Sequence, residues 1–585
     1  PNASPAAGFV SSTCPSSSMT TIASSSPANT VSWAIDATSN RPYLAIATNN
    51  SRLTTPKPNG VASNGGAHGG WRTNTDAVVL AEDGEPLVST KTETSKDITG
   101  GILTVFDDIL SRGRVAVEEI SQVMLGTTHC TNAIAERSGL SDVGVIRLGA
   151  PATASVMPMT EWPDELIDAI GDNVALLDGG HEYDGRLLND LDETAVRSTV
   201  REFDGVDAFA VTSVFSPIRE EHERRVKSII REVTGEEVAV SLSHEIGNIG
   251  LIERENATIL NAALTGVAER AADSFLSAMQ QREVDATLYF ARNDGTLMNL
   301  LQATRYPLFM VASGPANSIR GAAHLSGVQN GIVIDVGGTT TDVGVIREGF
   351  PRESSAATEI GNVKASFHLP DIVSLAIGGG SMVEDEESSV RVGPESVGRK
   401  LTELSRVFGG DVLTMTDVAA ASGAVSIGHE PIDVSPEVIA SVREHVREEI
   451  TTAVTKLRSG PDPVPAVIVG GGSFLIPDDI EGISEIHRPD YYTTANAIGV
   501  ATAQVSGQSD RLYDLDDRSR PEALSLAKQR AIDDAVKNGA EEESISVLSV
   551  EETPLTYLAE NVVRIKVDVA GDLRQNRQTY QEVAE

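Results

Sequence analysis

IVIDVGGTTTDVGVIR, residues 332–347, is the most informative stretch of this chain. β-Branched residues lie on both sides of a glycine pair, and this pattern predicts a strand, a tight turn and a return strand. Gly337 and Gly338 let backbone N–H groups approach phosphate oxygens, because no side chain stands in the way. Three hydroxyl groups add further donors: Thr339, Thr340 and Thr341. The stretch therefore predicts a phosphate-binding hairpin.

Two aspartates flank this hairpin. Asp335 ends the first strand, where a carboxylate can hold Mg²⁺ through water. Asp342 opens the return strand and can face the same ion or orient a nucleophile. A plain β-hairpin with a polar tip is the alternative, although D-x-G-G-T-x-T-D is a restrictive pattern. The chain has no G-x-x-x-x-G-K-[ST] sequence, so the hairpin is not a Walker loop.

Length and charge limit the classes of protein to consider. A chain of 585 residues is too long for one core, since single cores stop growing near roughly 250–300 residues. Two large domains and a small appendage are expected. The net charge of −38 argues against binding to nucleic acid or to anionic membrane surfaces. It does not exclude ATP, because local N–H groups and a metal can bind an anion within an acidic protein.

The cysteine and hydropathy patterns predict a cytoplasmic protein. Cys14 and Cys130 make neither a disulfide framework nor a CxxC metal pair, which favours a reducing compartment. No stretch of 18 apolar residues occurs, so we expect no transmembrane helix. The chain begins at Pro1 rather than Met, which favours a true N-terminus upstream of it.

The N-terminal segment suggests a second, interrupted copy of the hairpin. Residues 1–70 are dense in Ser, Thr, Asn, Pro, Ala and Gly, a composition that does not favour an ordered fold. Within them, Val31–Asp36 (VSWAID) reads as a strand that ends in an aspartate. Gly69–Leu80 (GGWRTNTDAVVL) then resembles the turn and return strand, with Asp76 in the place of Asp342. Two such hairpins, one per domain, are typical of the actin-like ATPase fold; coincidence is the alternative.

Two further strand ends carry candidate binding residues. Strand Val123–Leu125 leads into Gly126-Thr127-Thr128-His129-Cys130-Thr131-Asn132 and a helix, which places N–H groups and hydroxyls at a helix N-terminus. Simple helix capping explains the threonines equally well. Strand Ala466–Val469 ends in Gly470-Gly471-Gly472-Ser473, where actin-like folds place the adenosine. A plain turn that needs glycine is the alternative there.

Seven motifs together resemble the hydantoinase A / 5-oxoprolinase family between Thr73 and Ser506. They are GTTHCTNAIAERSGL, DGGHEYDGR, SHEIGNIGLIERENATILNAAL, SGPANSIRGAAHL, IDVGGTTTDVGVI, VGPESVG and VGGGS. The resemblance implies an α/β fold of two actin-like (ribonuclease H-like) ATPase domains around a nucleotide cleft, with a small C-terminal α+β appendage. The expected divisions are a low-complexity, disordered or aberrant segment 1–70, domains 71–245 and 246–506, and residues 507–585, which begin with the linker DRLYDLDDRSRP.

The resemblance also implies an activity. Members of this family use ATP to open five-membered cyclic amides such as hydantoins or 5-oxoproline. A lactam is a poor electrophile, and phosphorylation of its oxygen allows water to attack the carbon. The implied cofactors are ATP and Mg²⁺, with a monovalent cation as an optional addition. The implied partners are the cyclic amide and a hydantoinase B-type subunit, in a homo- or hetero-oligomer.

Residue roles follow from the resemblance as expectations. Asp335 would organise Mg²⁺, and Asp76 or Asp342 would orient the attacking group. The phosphates would be held by Gly337, Gly338, Thr339, Thr340 and Thr341. Adenine and ribose would be flanked by Gly470, Gly471, Gly472 and Ser473. Substrate contacts would come from Thr127, Thr128, His129 and Asn132.

The first hairpin departs from the family pattern. Asp36 is separated from Gly69 by the low-complexity stretch, and Trp71 and Arg72 would crowd the phosphates. The insertion would impair the ATPase, or it reflects a defective reading of the gene. The alternatives to an active hydrolase are therefore a non-catalytic pseudo-ATPase subunit, a nucleotide-binding subunit of an ATP-dependent carboxylase, and an actin-like kinase. The motifs GTTHCTN and DGGHEYDGR favour the hydrolase over a sugar kinase.

Overall fold

The computed structural model describes most of the chain beyond residue 41. The described residues are 42–49, 74–81, 86–93, 98–112, 115–203, 205–235, 238–247, 249–354, 358–367, 369–386, 389–516, 518–555 and 562–574. Their strands are, in chain order, β1 Tyr43–Asn49, β2 Asn74–Leu80, β3 Pro86–Glu93, β4 Gln122–Gly126, β5 Val143–Ala150, β6 Val174–Asp178, β7 Ala208–Ser213, β8 Ala239–Leu242, β9 Thr287–Ala291, β10 Leu297–Asn299, β11 Asn330–Val336, β12 Thr341–Arg347, β13 Phe350–Pro351, β14 Thr358–Ile360, β15 Val363–Ala365, β16 Ile372–Leu375, β17 Ser381–Glu386, β18 Ser389–Ser396, β19 Val464–Val469, β20 Ile483–His487, β21 Val505–Asp514, β22 Ser546–Pro554 and β23 Val562–Gly571. Their α-helices are α1 Ile98–Ser111, α2 His129–Glu136, α3 Asp164–Ile170, α4 Glu193–Glu202, α5 Glu221–Thr234, α6 Ser243–Ile246, α7 Leu251–Gln281, α8 Leu300–Arg305, α9 Ser313–Ser326, α10 Leu401–Leu404, α11 Met415–Ala421, α12 Pro436–Leu457, α13 Ala495–Ala501 and α14 Arg520–Lys537.

Two mixed sheets each contain a hairpin beside a parallel strand. The larger sheet has the order β22-β23-β21-β10-β9-β4-β1-β2-β3, and its hairpin β1–β2 lies beside β4, which runs parallel to β1. The smaller sheet has the order β13-β12-β11-β19-β20, with β16 also paired to β12. Its hairpin β11–β12 lies beside β19, which runs parallel to β11. This repeated arrangement is the pair of actin-like halves that the sequence predicts.

A third sheet is wholly parallel and packs on the longest helix. Its order is β6-β5-β7-β8. Helix α7 packs against β7 and β8 and also against α1 and α2. Since neighbours surround much of α7, small and apolar side chains cover more than one of its faces, as in other buried helices.

The first turns of α7 also carry buried polar residues that tie it to the parallel sheet. Arg254 donates a hydrogen bond of 2.7 Å to the last carbonyl of β7. Glu255 accepts a bond of 2.7 Å from Nε of Arg147, and both side chains are fully buried. Asn256 accepts from the indole of Trp162 at 3.0 Å. Each polar group therefore has a partner, which offsets the cost of burying it.

Helices α9 and α13 cross at very short range between the two mixed sheets. A Cβ on Gly321 of α9 would lie 1.8 Å from the carbonyl oxygen of Ala495, and a Cβ on Gly499 of α13 would lie 1.8 Å from that of Asn317. Only glycine permits this approach. The N-terminal half of α9 consequently lies near both hairpins.

The C-terminal region differs in part from the prediction. Its strands β21, β22 and β23 continue the nine-stranded sheet, and α14 packs on β21 and β23. The predicted linker, residues 510–521, is wrong over its first part, because β21 runs from Val505 to Asp514. Pairing with both β10 and β23 outweighs the polar composition of this segment.

In the described part of the chain, no helix has the length and hydropathy that crossing a bilayer would require.

Candidate nucleotide site

The hairpin predicted at residues 332–347 forms as the sequence indicates. Strands β11 and β12 pair in antiparallel register with Asp335 opposite Asp342 and Val336 opposite Thr341. The tip therefore comprises residues 337–340, and it is closed by a hydrogen bond of 2.8 Å from the Gly337 N–H to the Thr340 carbonyl. The hydroxyl of Thr341 is fully buried and donates to the Ile377 carbonyl at 2.7 Å. This threonine anchors the hairpin rather than offering a free donor at its tip.

A second glycine loop, Gly378–Gly380, lies against the tip. The N–H of Gly379 donates to the Gly337 carbonyl at 3.1 Å, and that of Gly380 donates to the Gly338 carbonyl at 2.6 Å. A Cβ on Gly378 would lie 2.6 Å from the Thr339 nitrogen. The sequence shows this loop only as a glycine-rich turn, and its long-range pairing with the hairpin was not predicted.

The predicted loop Gly470–Ser473 packs on β11, the first strand of the hairpin. The N–H of Gly472 donates to the Val336 carbonyl at 2.8 Å. Gly470 has a φ of +87°, and a Cβ there would lie 2.3 Å from Oδ1 of Asp335. Glycine is required at position 470 both for this backbone conformation and for the approach of the carboxylate. Two glycine loops thus pack against the glycine-containing hairpin, one on its tip and one on β11.

Asp342 is a buried carboxylate with an unusual pKa. Only 8 % of its surface is exposed, and it accepts a hydrogen bond of 2.5 Å from the Ser374 hydroxyl. Burial raises the pKa of Asp342 to about 7; the bond from Ser374 opposes this rise, and the negative charge of Asp335 adds to it. Near neutral pH this group therefore exists in both protonation states.

Asp335 and Asp76 lie close enough to influence each other. Burial raises the pKa of the half-buried Asp335, while a hydrogen bond from Ser318 of α9 and the charge of Lys91 oppose the rise. Burial also raises the pKa of Asp76; Lys91 opposes that rise, and the charge of Asp335 adds to it. The three predicted catalytic aspartates are thus brought to one region of the molecule.

Lys91 is a cation beside these aspartates, and the sequence interpretation missed it. Its Nζ lies 2.8 Å from Oδ1 of Asp76 and 3.1 Å from Oδ2, and it donates to the Thr493 carbonyl at 3.2 Å. Strand β3 pairs with β2 so that Lys91 stands directly opposite Asp76. The sequence signal was Glu82-Asp83-Gly84 between two strand patterns, because a hairpin predicted from it would place a lysine of the second strand near the aspartate of the first.

The first hairpin differs from the sequence prediction. The strand that pairs with β2 is β1, Tyr43–Asn49, and the other edge of β2 pairs with β3. The prediction that Val31–Asp36 pairs with this strand is therefore wrong, because both edges of β2 are occupied. Val31–Asp36 itself lies outside the described residues, as do residues 50–73, which include Gly69, Gly70, Trp71 and Arg72.

The first hairpin lacks a carboxylate at the position where the second hairpin has Asp335. Ala47 stands opposite Asp76, whereas Asp335 stands opposite Asp342 in the second hairpin. The paired strands of the first hairpin end at Asn49 and Asn74. The chain therefore spans residues 50–73 where the second hairpin has Gly-Gly-Thr-Thr alone.

The predicted substrate residues lie at the carboxyl end of β4. Gly126 is the register partner of Ala47, so Thr127 and Thr128 lie at the same sheet edge as the first hairpin. Both threonines are buried, and Thr128 occupies the N-cap position of α2 without a side-chain cap bond. The Thr127 hydroxyl contacts Nδ1 of His129, and burial lowers the pKa of that histidine. The capping alternative is thus not supported for Thr128.

Asn132, the fourth predicted substrate residue, lies one turn further along α2. Its N–H donates to the Thr128 carbonyl at 2.9 Å, as expected within a helix. Its side chain is half-buried.

A cavity of about 430 Å³ adjoins the Gly470–Ser473 loop. Helices α11 and α12 form one wall, and residues 473–478 form another. Arg488 supports the second wall, because it donates to the carbonyls of Ser473 at 3.0 Å and Ile476 at 2.8 Å. Phe474 and Arg443 also line the cavity. A flat aromatic base could contact both an aromatic ring and a guanidinium there.

The carboxylates suit a hard divalent cation. Among the described residues, no group of three or more His, Cys, Asp or Glu side chains lies close enough to hold a metal ion. Mg²⁺ does not need such a cage, since it is commonly held by one or two carboxylates together with water and substrate phosphates. Asp335 and Asp342 face each other in register beside the glycine loops. The donor set thus fits Mg²⁺ brought in with a nucleotide.

Two family models match the chain. The model described as hydantoinase/oxoprolinase N-terminal region matches residues 68–234, and the model described as hydantoinase/oxoprolinase matches residues 254–426. Together they cover more than half of the chain.

Similar proteins include a carboxylase subunit, an oxoprolinase and a lactamase. The chain is 25% identical to the acetophenone carboxylase gamma subunit of Aromatoleum aromaticum, over 60% of this chain and 52% of that protein. It is 29% identical to the 5-oxoprolinase of Saccharomyces cerevisiae, over 41% of this chain and 19% of that protein. The crystal structure of the ATP-dependent caprolactamase from Pseudomonas jessenii superposes with a TM-score of 0.66 at 18% identity, covering 86% of each chain. The chain thus spans about half or less of the length of these two curated relatives.

Proposed function

Since this chain belongs to the hydantoinase/oxoprolinase family, we propose that it is an ATP-dependent hydrolase that opens a five-membered cyclic amide of the hydantoin or 5-oxoproline type. One observation carries the proposal: the Asp335–Asp342 hairpin meets the loops Gly378–Gly380 and Gly470–Ser473 beside a cavity of about 430 Å³. Glycine loops that leave the backbone uncovered by side chains, paired carboxylates and an adjacent cavity are parts that Mg-ATP requires.

The chemistry starts with the lactam oxygen, which attacks the γ-phosphorus as the bond to ADP breaks. Water then adds to the activated carbon, and the adduct expels the ring nitrogen, which takes up a proton. Hydrolysis of the resulting acyl phosphate gives a carboxylate and phosphate. Mg²⁺, when bound, would neutralise charge on the phosphates.

The chain's own residues have distinct tasks in this proposal. Asp335 would hold the metal. Asp342, with its pKa of about 7, would take up the proton of the attacking water near neutral pH. The charge of Lys91 opposes the rise in the pKa of Asp76 that burial causes, and its ammonium group would contribute positive charge near the bound phosphates. Substrate contacts from Thr127, Thr128, His129 and Asn132 stay a prediction, as do a B-type partner subunit and a cytoplasmic location.

The test is ADP release by the purified chain, alone and with a B-type subunit, in the presence of hydantoin, 5-oxoproline or caprolactam. We expect release with a five-membered ring, and loss of release in Asp335→Asn. Asp371→Asn is a matched control, because Asp371 is paired with Arg352 away from the hairpin tips. The proposal would be contradicted if none of the three cyclic amides increased ADP release, either by the chain alone or together with a B-type subunit.

A carboxylase subunit is the second candidate, favoured by the match to the acetophenone carboxylase gamma subunit. ADP release that requires a ketone and bicarbonate rather than a cyclic amide would identify it.

A pseudo-ATPase is the third candidate, favoured by Ala47 in the place of an aspartate and by the long connection 50–73. A variant in which Gly-Gly-Thr-Thr replaces residues 50–73 tests the pseudo-ATPase candidate. The replaced segment begins after the last residue of β1, so the variant keeps that strand. If the wild-type chain fails to bind ATP and this variant binds it, the connection disables the site.

A further inference from the structure

The two actin-like halves share one feature, a hairpin beside a parallel strand, and differ in the side chain that covers the glycine at the end of that strand. In each half, the first hairpin strand lies beside a parallel strand with a glycine at or just beyond its end. Strand β1 lies beside β4, whose last residue is Gly126, and β11 lies beside β19, which ends at Val469 and is followed by Gly470. In the second half, the carboxylate of Asp335 covers that glycine, because a Cβ on Gly470 would lie 2.3 Å from its Oδ1.

In the first half, an amide lies against the glycine at the end of β4. The hairpin residue is Ala47, which offers no polar group. A Cβ on Gly126 would lie 2.7 Å from Nδ2 of Asn317 and 3.5 Å from the Cβ of Ala47. Asn317 lies on α9, beside Ser318, which bonds to Asp335. Helix α9 therefore presents adjacent residues to both halves of the site.

The Asn317 amide has no partner among the residues that the structure describes. Its side chain is 1 % exposed, and neither Oδ1 nor Nδ2 makes a hydrogen bond. Buried polar groups almost always have partners, because leaving one unpaired carries a desolvation cost. The neighbouring Asn496 on α13 differs in its Nδ2, which donates to the Gly314 carbonyl at 3.1 Å, whereas neither polar atom of the Asn317 amide is bonded within the described residues. An unpaired amide at a nucleotide site indicates a bond that forms with the ligand.

We propose that Asn317 replaces the missing carboxylate of the first hairpin and donates its Nδ2–H to a phosphate oxygen of ATP. This inference rests on the proposed nucleotide site and adds a binding residue to it. A carboxylate can only accept hydrogen bonds and reaches a phosphate through a metal or water, whereas an amide can donate to the phosphate directly. ATP binding by this chain should accordingly depend less on Mg²⁺ than binding by a site with two aspartate hairpins.

The test compares Asn317→Ala with Asn538→Ala in the full chain. Asn538 is a matched control, because it is 3 % exposed, lies outside both hairpins and donates to the Ser506 carbonyl at 2.9 Å. Calorimetry measures the Kd of ATP with Mg²⁺ and with EDTA, and scanning calorimetry measures the Tm without nucleotide. Loss of one bond to a charged group should weaken ATP binding by Asn317→Ala about tenfold or more.

The Tm measured without nucleotide shows whether Asn317 binds the ligand or only packs within the protein. Without nucleotide, the Asn317→Ala variant should keep or exceed the wild-type Tm, because no bond is lost. The Asn538→Ala variant should show a lower Tm and an unchanged Kd. A lower Tm with an unchanged Kd for Asn317→Ala would overturn the inference.

Asn317→Asp supplies a second, shape-conserving variant. The new carboxylate repels the phosphate, so ATP affinity in EDTA should fall at least tenfold, and excess Mg²⁺ should recover most of it. Equal affinity of this variant and the wild type in EDTA would also overturn the inference. If the wild type and the Asn538→Ala variant both fail to bind ATP, the proposed function fails as well; if they bind and Asn317→Ala binds equally, only the inference fails.

Discussion

Replacing Asp342 with asparagine should change how stability depends on pH. The carboxyl lies in the second hairpin with 8 % of its surface exposed, and its pKa is raised from 3.8 to about 7, chiefly by burial. Between these two values the unfolded chain releases a proton that the folded chain keeps. The stability that the protonated group contributes is therefore fully present below about pH 4 and is lost as the pH rises through about 7.

The magnitude follows from the two pKa values. Their difference is about 3, and each pKa unit is worth about 1.4 kcal/mol, so the ionised group costs the folded protein about 4 kcal/mol above pH 7. Asparagine has the same shape and never ionises, and it can still accept the hydrogen bond from Ser374. Asp342→Asn should thus match the wild type at pH 4 and exceed its stability by about 4 kcal/mol at pH 8.

The assay is the difference in thermal unfolding midpoint between the two proteins, without nucleotide, from pH 4 to pH 8. All other titrating groups are shared, so the difference isolates Asp342. Ser374→Ala is the companion variant: it removes the bond that lowers this pKa, so its loss of stability should move to higher pH. Parallel profiles for wild type and Asp342→Asn would refute the reasoning, because they would mean that this carboxyl has an ordinary pKa.

Three further predictions concern backbone contacts and thiol chemistry. Gly470→Ala should destabilise the protein by roughly 2–4 kcal/mol and weaken ATP binding, because φ at this position is positive and the new Cβ would displace Asp335. Gly471→Ala is the control and should keep the wild-type Tm, since a Cβ at position 471 meets nothing within 4 Å. Gly321→Ala should largely prevent folding, measured as soluble yield and circular dichroism, because its Cβ would lie 1.8 Å from a carbonyl of the facing helix; a soluble, wild-type-like variant would contradict this. Burial raises the pKa of the Cys130 thiol to about 12, so a disulfide reagent at pH 8 should modify it only after the chain unfolds.

The second hairpin was predictable because its information is local. Alternating β-branched residues, a glycine pair and two aspartates lie within Ile332–Arg347, and the structure forms β11 and β12 within one or two residues of those limits. The family motifs likewise gave the actin-like architecture, since their order along the chain does not depend on knowing which strands pair.

The first hairpin was not predictable in the same way. The motif suggested Val31–Asp36 because that segment ends in an aspartate, whereas the strand that pairs with β2 is Tyr43–Asn49, which carries Ala47 at the decisive position. Strand pairing across residues 50–73 depends on the whole sheet, and no local pattern specifies it. The alternation of YLAIATN is visible in the sequence but lay within a segment dominated by small polar residues.

Other parts of the site come from long-range contacts. The loop Gly378–Gly380 contacts the hairpin tip through backbone hydrogen bonds between residues about forty positions apart in the chain. Lys91 meets Asp76 through the register of β2 and β3. Asn317 meets Gly126 through the crossing of α9 with the larger sheet. The sequence around each of these residues does not indicate which element it contacts, so its place in the site appears only once the elements are packed.

Binding of Mg-ATP to the full chain, measured by calorimetry beside Asp335→Ala and the control Asp371→Asn, tests the central claim most directly. The account predicts that the wild type and Asp371→Asn bind Mg-ATP with equal affinity and that Asp335→Ala loses at least tenfold, because the carboxylate beside Gly470 holds the metal. Equal binding by all three proteins would contradict the assignment of the site. Absence of binding by the wild type, and also by the chain in which Gly-Gly-Thr-Thr replaces residues 50–73, would contradict the nucleotide-binding account itself.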